Sequence, residues 1–205
     1  MSSKNPTFHF ENDLAALGYK AVVGVDEVGC GALAGPVVAG AVILQPPFRL
    51  GGVRDSKLLT SLARERLAGE IKNKAKAHAI GEASVEEINR FGIRRATFMA
   101  MRRAIEKICE VDFVLVDAWQ IPGLPFQQKG IIRGDRLIKS IAAASIIAKV
   151  YRDHLMTELS IEFPDYGFDD HKGYSTTFHL QKIKECGACP IHRTTWRLFQ
   201  PQLFD

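Results

Sequence analysis

Nowhere in the 205 residues does an uncharged apolar run approach the ~18 that a membrane helix needs, so no membrane span is expected. The opening, MSSKNPTFHF, lacks the basic start and apolar core of a secretory leader. Cysteine is scarce: the four are Cys30, Cys109, Cys186 and Cys189. With no leader in sight, their expected setting is a cytoplasmic, reducing one and not a disulfide framework. Cys186-x-x-Cys189 with His192 hints at zinc, but no second CxxC or fourth ligand accompanies it, so reduced, unliganded thiols are expected. Internal repeats and low-complexity segments are missing too. Neither sign of charge dominates: 27 Lys and Arg against 23 Asp and Glu give +4. That balance suits a phosphate-rich partner without singling one out.

What is present is the composition of an ordinary globule, 46% hydrophobic and 24% charged. One α/β domain over 1–205 is expected, with a core to about residue 164 and a helical segment and tail over about 165–205. An arm over 1–18 ends in a short helix. Strands over about 20–25 and 37–44 lie close enough to form a hairpin across a glycine turn, and a Pro- and Gly-rich loop covers 45–52. From Ser61 a helix carries Leu62, Leu67 and Ile71 at roughly helical spacing. AHAIGEASV reads as a third strand. Ser84-Val-Glu-Glu87 is a capping box opening a short helix that ends near Phe91-Gly92. IRRATFMAMRRAIEKICE is a helix with its apolar stripe on Ile93, Phe98, Met101, Ile105 and Ile108. VDFVLVD is a strand buried on both faces and KGIIRGD a short fifth strand. SIAAASIIAKVYRDHLMTELSIEF is a long helix whose first half, apolar and small all round, packs in the interior. After Pro164 come a glycine-bounded loop and a helix from about Thr176.

The chain is organised around residues 22–44, VVGVDEVGCGALAGPVVAGAVIL. Asp26 and Glu27 sit inside this otherwise uncharged stretch. Burying an unpaired carboxylate costs at least ~2 kcal/mol, so the pair calls for a counter-charge, and a bound cation is the obvious one. Strand neighbours point to opposite faces, so the two acids share a site only if the strand ends there; Gly29 and Gly31 supply that end. Strand-end acids that merely cap a turn are the plainer alternative. Gly29-x-Gly31-x-x-x-Gly35 is no dinucleotide loop, because Pro36 and a β-branched run follow it where a helix should begin.

Two further acids stand where strands end, Asp117 and Asp135. Convergent carboxylates repel one another unless a cation neutralises them, and oxygen-only ligation selects Mg2+ or Mn2+. Two such ions ~4 Å apart can clamp an in-line attack on phosphorus.

GVDEVGCGALAGPVV, RDSKLLT, GDRLIKSIAAASIIAKVYRD, HKGYSTTFHL and PIHRTTW follow in order over about residues 20–196. They resemble the successive motifs of ribonuclease HII, the type 2 ribonuclease H family. The resemblance implies an α/β, ribonuclease H-like fold: a mixed five-stranded sheet flanked by helices, with a helical C-terminal portion. It implies a metal-dependent endonuclease, using Mn2+ or Mg2+, that cuts the RNA strand of RNA–DNA hybrids. Cutting at ribonucleotides embedded in duplex DNA, and products with 5′-phosphate and 3′-hydroxyl ends, are implied as well. On the family pattern Asp26, Glu27, Asp117 and Asp135 are the catalytic, metal-holding acids. Asp153, beside Arg152 on the long helix, is the alternative fourth acid, though such an acid is more often a helix-side ion pair.

Substrate contacts carry over in the same way. The family's Gly-Arg-Gly turn meets the ribose 2′-hydroxyl and a phosphate; here it reads Gly29-Cys30-Gly31. The backbone contacts survive, but a thiol cannot make the forked guanidinium contact to phosphate. Tyr174 matches the tyrosine that packs on the sugar at the RNA-to-DNA junction, with plain packing as its alternative. Ser56, Lys57, Lys149 and Lys172 are candidates for phosphate contacts, against the default of solvated surface groups. Arg94, Arg95, Arg102 and Arg103 form a basic stripe, either a solvated helix face or a patch facing the duplex. Gln202, Leu203 and Phe204 resemble the short motifs that dock on replication sliding clamps, a match that three residues also reach by chance. A monomer is expected. The rival readings are another nuclease of the same fold, such as a junction resolvase, and a hybrid-binding protein without catalysis.

Overall fold

A computed structural model describes residues 5–44 and 60–199. In chain order the helices and strands are α1 (His9–Ala16), β1 (Val22–Val28), β2 (Val37–Ile43), α2 (Ser61–Lys74), β3 (Ala77–Ala83), α3 (Val85–Phe91), α4 (Ile93–Glu106), β4 (Phe113–Asp117), β5 (Gln127–Ile131), α5 (Lys139–Glu162), α6 (Phe168–His171) and α7 (Thr177–Cys186). Among the described residues no helix is long and apolar enough to cross a membrane.

The five strands form one mixed sheet in the order β3-β2-β1-β4-β5. β1, β2 and β3 pair antiparallel, while β1, β4 and β5 pair parallel. Along β2, Val37, Ala39, Ala41 and Ile43 face α4, whose Ala96, Ala100 and Ala104 lie against them. Val42 and Leu44 face the other way, toward Leu67 and Ile71 of α2 and Ala143 and Ile147 of α5. Each such fully buried aliphatic side chain contributes ~1.5–3 kcal/mol. α5 lies unusually close to the sheet because Gly24 and Gly40 sit beneath it; a Cβ on either would enter its backbone at Ser140 or Ala144.

The register makes a step. β1 pairs with β2 as far as Val28↔Val38, but its pairing with β4 stops at Val25↔Val116. Asp26 and Glu27 therefore lie inside a strand and not at its end, which corrects the sequence reading. They belong to the three-stranded part of the sheet, β3-β2-β1, which runs on past the last β1–β4 pair, and this one-sided opening lets both acids border one space.

Other boundaries moved for local reasons. β5 lies earlier than KGIIRGD, because Arg133 turns left-handed at φ +59° and leads into a 3-10 turn over Gly134–Arg136. Leu62 is exposed, so α2 buries only the Leu67 and Ile71 part of its expected stripe. The Ser84–Glu87 capping box is present in both directions.

α5 has no side-chain cap of its own at Ile138. Glu11, from α1, supplies one: its Oε1 accepts from the backbone N–H of Ser140 at 3.0 Å and from the Ser140 hydroxyl at 2.8 Å. A carboxylate here faces the positive end of the helix. Its other oxygen is buried without a hydrogen-bond partner among the described residues, and burial raises the pKa of the group.

Candidate active site

The step in the sheet opens a cavity of about 530 Å³ bordered by Asp26 and Glu27 of β1, Asp117 at the end of β4, and Asp135 in the 3-10 turn. Ser145 and Lys149 of α5, the Gly29–Gly31 turn and Tyr174 complete its wall. Asp26 is buried. Its pKa is raised well above the usual carboxylate range, first by burial and then by the negative charges of Glu27, Asp117 and Asp135; a hydrogen bond from Ser145 opposes the shift. Asp26 is thus close enough to feel the other three acids.

Each acid is held differently. Asp26 Oδ1 accepts from the Glu27 backbone N–H at 2.8 Å. Asp117 Oδ1 accepts from the Gly134 N–H at 2.6 Å and so pins the turn that carries Asp135. Glu27 Oε1 lies 3.7 Å from the Cys30 thiol. As they stand, no three acids, histidines or cysteines among the described residues are clustered tightly enough to hold an ion. The donor set is nevertheless all oxygen, and a hydrated Mg2+ needs only one or two carboxylates because it keeps several of its waters. A divalent cation fits this chemistry.

Asp153 stands outside the cavity, paired with Lys149 Nζ at 2.5 Å and Arg64 Nη1 at 3.4 Å. The geometry thus brings Asp135, and not Asp153, to the other three acids. Lys149 borders the cavity despite that ion pair, its pKa lowered chiefly by burial. Lys172 is not brought in: its Nζ donates to Thr157 Oγ1 at 2.7 Å and to the Asp169 carbonyl at 2.5 Å. Ser56, Lys57, Gln202, Leu203 and Phe204 lie outside the described residues.

The glycine turn is supported from below by two buried guanidinium groups. Arg152 donates to the carbonyls of Pro36, Lys172 and Ala34 at 2.9–3.0 Å. Arg193 donates to Cys30 and twice to Gly35 at 2.8–3.0 Å; burial and the nearby Arg152 push its pKa down to about 9. Gly29 has φ +88°, and a Cβ there would strike the Arg152 side chain. Cys30 turns inward: its Sγ lies 3.2 Å from Thr97 Oγ1 of α4. Burial and Glu27 push that thiol up to about 12, so it stays protonated. Tyr174, part-exposed, stands over Arg152 at 5.6 Å and Lys149 at 5.9 Å.

Beneath Tyr174 three imidazoles fix the HKGY loop. His179 Nδ1 donates to the Tyr174 carbonyl at 2.9 Å, leaving Nε2 to accept from His192 Nε2 at 3.0 Å. His192 Nδ1 then accepts from the Cys189 N–H at 2.9 Å. His171 donates to the Tyr166 carbonyl at 2.7 Å and accepts from the Gly173 N–H at 3.2 Å. These tautomers follow from the partners. Burial and neighbouring imidazoles push His192 down to about 4.

A family model described as Ribonuclease HII matches residues 23–199. The chain belongs to the ribonuclease HII family. The ribonuclease HII of Desulfitobacterium hafniense is 49% identical over 194 residues, covering 94% of this chain and 75% of the relative. That of Syntrophotalea carbinolica is 45% identical over 190 residues, covering 92% and 91%. Among solved structures, the PCNA:RNase HII complex from Archaeoglobus fulgidus aligns with a TM-score of 0.72 at 26% identity, over 89% of this chain and 98% of that one. The fold is ribonuclease H-like, and ribonuclease HII is a family of metal-dependent endoribonucleases.

Sequence reasoning passed over Ser145, Thr97, Arg152 and Arg193. Ser145 is one small residue in a run of small residues. The two arginines did carry a signal, since each stands inside a quoted motif, one of them on a helix whose first half is apolar.

Proposed function

We propose that this ribonuclease HII hydrolyses the RNA strand of RNA–DNA hybrids and cuts at ribonucleotides embedded in duplex DNA, leaving 5′-phosphate and 3′-hydroxyl ends. The observation that carries the reading is the shared cavity, bordered by the four acids together with the Gly29–Gly31 turn and Tyr174. In it Asp26 and Asp117 anchor Mg2+ or Mn2+, and Glu27 and Asp135 complete the set. When bound, two such ions supply activation of water and charge stabilisation at the leaving oxygen.

The protein's own groups do the positioning. The carbonyls of Cys30, Ala34, Gly35 and Pro36 are tied to buried guanidinium groups, so the turn presents a preset backbone to the 2′-hydroxyl, the group that separates RNA from DNA. Tyr174, held through His179, favours a deoxy sugar next to the cut by the flat shape of its ring. Lys149 adds positive charge for a phosphate, without reading sequence.

Incubation with an RNA–DNA hybrid and with a duplex containing one ribonucleotide, in Mg2+ or Mn2+, tests the reading. Cleavage blocked by chelator and by Asp26→Asn is expected. The inward turn of Glu27 to Cys30 favours one rival, a hybrid-binding protein that does not cut; tight binding without cleavage in either metal would establish it. We also assign Gln202, Leu203 and Phe204 to docking on a sliding clamp, supported by the Archaeoglobus relative having been solved with PCNA. Deleting residues 200–205 should abolish clamp pull-down, and an unchanged pull-down removes the assignment.

A further inference from the structure

A second concavity, of about 660 Å³, lies between α4 and the segment that follows β4. It is lined by Phe91, Phe98, Trp119 and three arginines, Arg94, Arg95 and Arg102, and, among the described residues, by no acid. Trp119 is 62% exposed and Phe91 38%. An indole this exposed is uncommon on a surface with no ligand to cover it. The Arg94 guanidinium lies 4.9 Å from the Trp119 ring centre and Arg90 stands 5.0 Å from Phe91. Arg102 is aimed by the carbonyls of Pro122 at 2.6 Å and Gly123 at 3.1 Å, which orient it without cancelling its charge. Arg103, the remaining member of the stripe, is the exception: Glu87 takes it in a two-pronged pair at 2.6 and 2.7 Å. Among the described residues no carboxylate pairs with Arg94, Arg95 or Arg102.

The groove adjoins the acidic cavity through the same elements. Trp119 follows Asp117 by two residues, its N–H donating to the Asp117 carbonyl at 2.7 Å across Ala118, which is left-handed at φ +58°. Thr97 of α4 faces Cys30 while its neighbour Phe98 lines the groove. The place is therefore set beside wherever a nucleic acid is held at the acids.

We propose that this groove binds an unpaired nucleic-acid strand leaving the duplex held at the acidic cavity. Two features select that occupant. Three unneutralised guanidinium groups complement a run of phosphates. An exposed indole beside an arginine is a stacking platform, and stacking needs a base face that a duplex keeps covered. An acidic peptide would satisfy the charges but leave the rings without partners. The proposal rests on the functional reading above and extends its footprint to substrates with a single-stranded tail.

The test compares a blunt RNA–DNA hybrid with the same hybrid carrying a ten-nucleotide dT tail at either end. Binding is read by fluorescence anisotropy in the presence of a chelator. Trp119 emission is read in a Trp196→Phe background, since the chain has 2 tryptophans. One tail polarity should tighten binding roughly tenfold, the size of one or two base–aromatic stacks, and quench Trp119. Trp119→Ala and the double change Arg94→Gln, Arg95→Gln should each remove the tail effect while blunt-hybrid affinity changes less than about twofold. Equal binding of tailed and blunt hybrids overturns the proposal, as does quenching by poly-glutamate but not by dT. Cleavage of the blunt hybrid, measured alongside, reads the functional assignment separately. Cutting without a tail effect overturns the groove alone. A blunt hybrid left uncut overturns the assignment, and quenching by free dT then decides the groove.

Discussion

The acidic cavity and the imidazole–guanidinium cluster behind it are both polar groups withdrawn from water, and they are solved in opposite ways. In the cluster the ring and guanidinium donors meet backbone carbonyls or a neighbouring ring, and burial lowers the pKa of His179 and His192. In the cavity like charges face one another, and Asp26 responds with a raised pKa. Internal satisfaction marks scaffold; its lack marks a place completed from outside.

The sharpest way to break this comparison is to neutralise one member of each. Asp26→Asn should reduce hybrid cleavage on the order of 10²–10³-fold or more. The same change should leave the chelated protein equally stable or ~1 kcal/mol more so, a rise of ~2–4 °C in Tm by calorimetry, because a repelled charge is gone. A fall in stability would mean that the cavity is satisfied after all. Arg152→Met should do the reverse. Three carbonyls lose their donors, and urea denaturation should show a loss of ~3–5 kcal/mol, unaffected by chelator.

The two regions should also differ in their response to pH. His192, at about 4 when folded against an ordinary 6.5, binds its proton mainly in the unfolded chain. Its contribution is whole above about pH 6.5 and is lost as pH falls toward 4, on the order of 2 kcal/mol in all. His192→Gln should flatten that acid limb of the stability curve. Asp26 has its folded pKa raised, so its contribution has the opposite sign: chelated protein loses stability as pH rises through the raised value. Mn2+ should offset that loss, so the Tm gained on adding Mn2+ should grow as pH rises. A gain that does not change with pH would deny the repulsion that raises the Asp26 pKa.

The smallest effect concerns the seam between the regions. In Cys30→Arg the new side chain must leave the Thr97 pocket and turn outward beside Gly31, where nothing lies within 4 Å of an added Cβ. One charge-assisted phosphate contact should then lower KM roughly tenfold on at least one substrate, the hybrid or the duplex with one ribonucleotide, at a stability cost of ~1 kcal/mol from lost thiol packing. An unchanged KM would show that the backbone of the turn suffices.

Much of this was legible in the sequence because local chemistry and tertiary role coincide there. The apolar β4 run, the capping box at Ser84 and the small-residue half of α5 read as they fold. The acids were legible as isolated charges in apolar company. The step that lets Asp26 and Glu27 share a space was not, because it is a difference between the pairing lengths of two neighbours and belongs to neither strand alone. Likewise the motifs flag Arg152 and Arg193, but which carbonyls they hold is set only once the turn has folded over them, and the inward rotamer of Cys30 depends on Thr97, 67 residues away.

Glu11 lies 129 residues before the serine it holds. The start of the helix that bears Ser145 and Lys149 is thus fastened by the opposite reach of the polypeptide, and no contiguous fragment from the middle of the chain contains both halves of the clasp. Trimming the first eleven residues would loosen a wall of the acidic cavity without touching any residue that borders it.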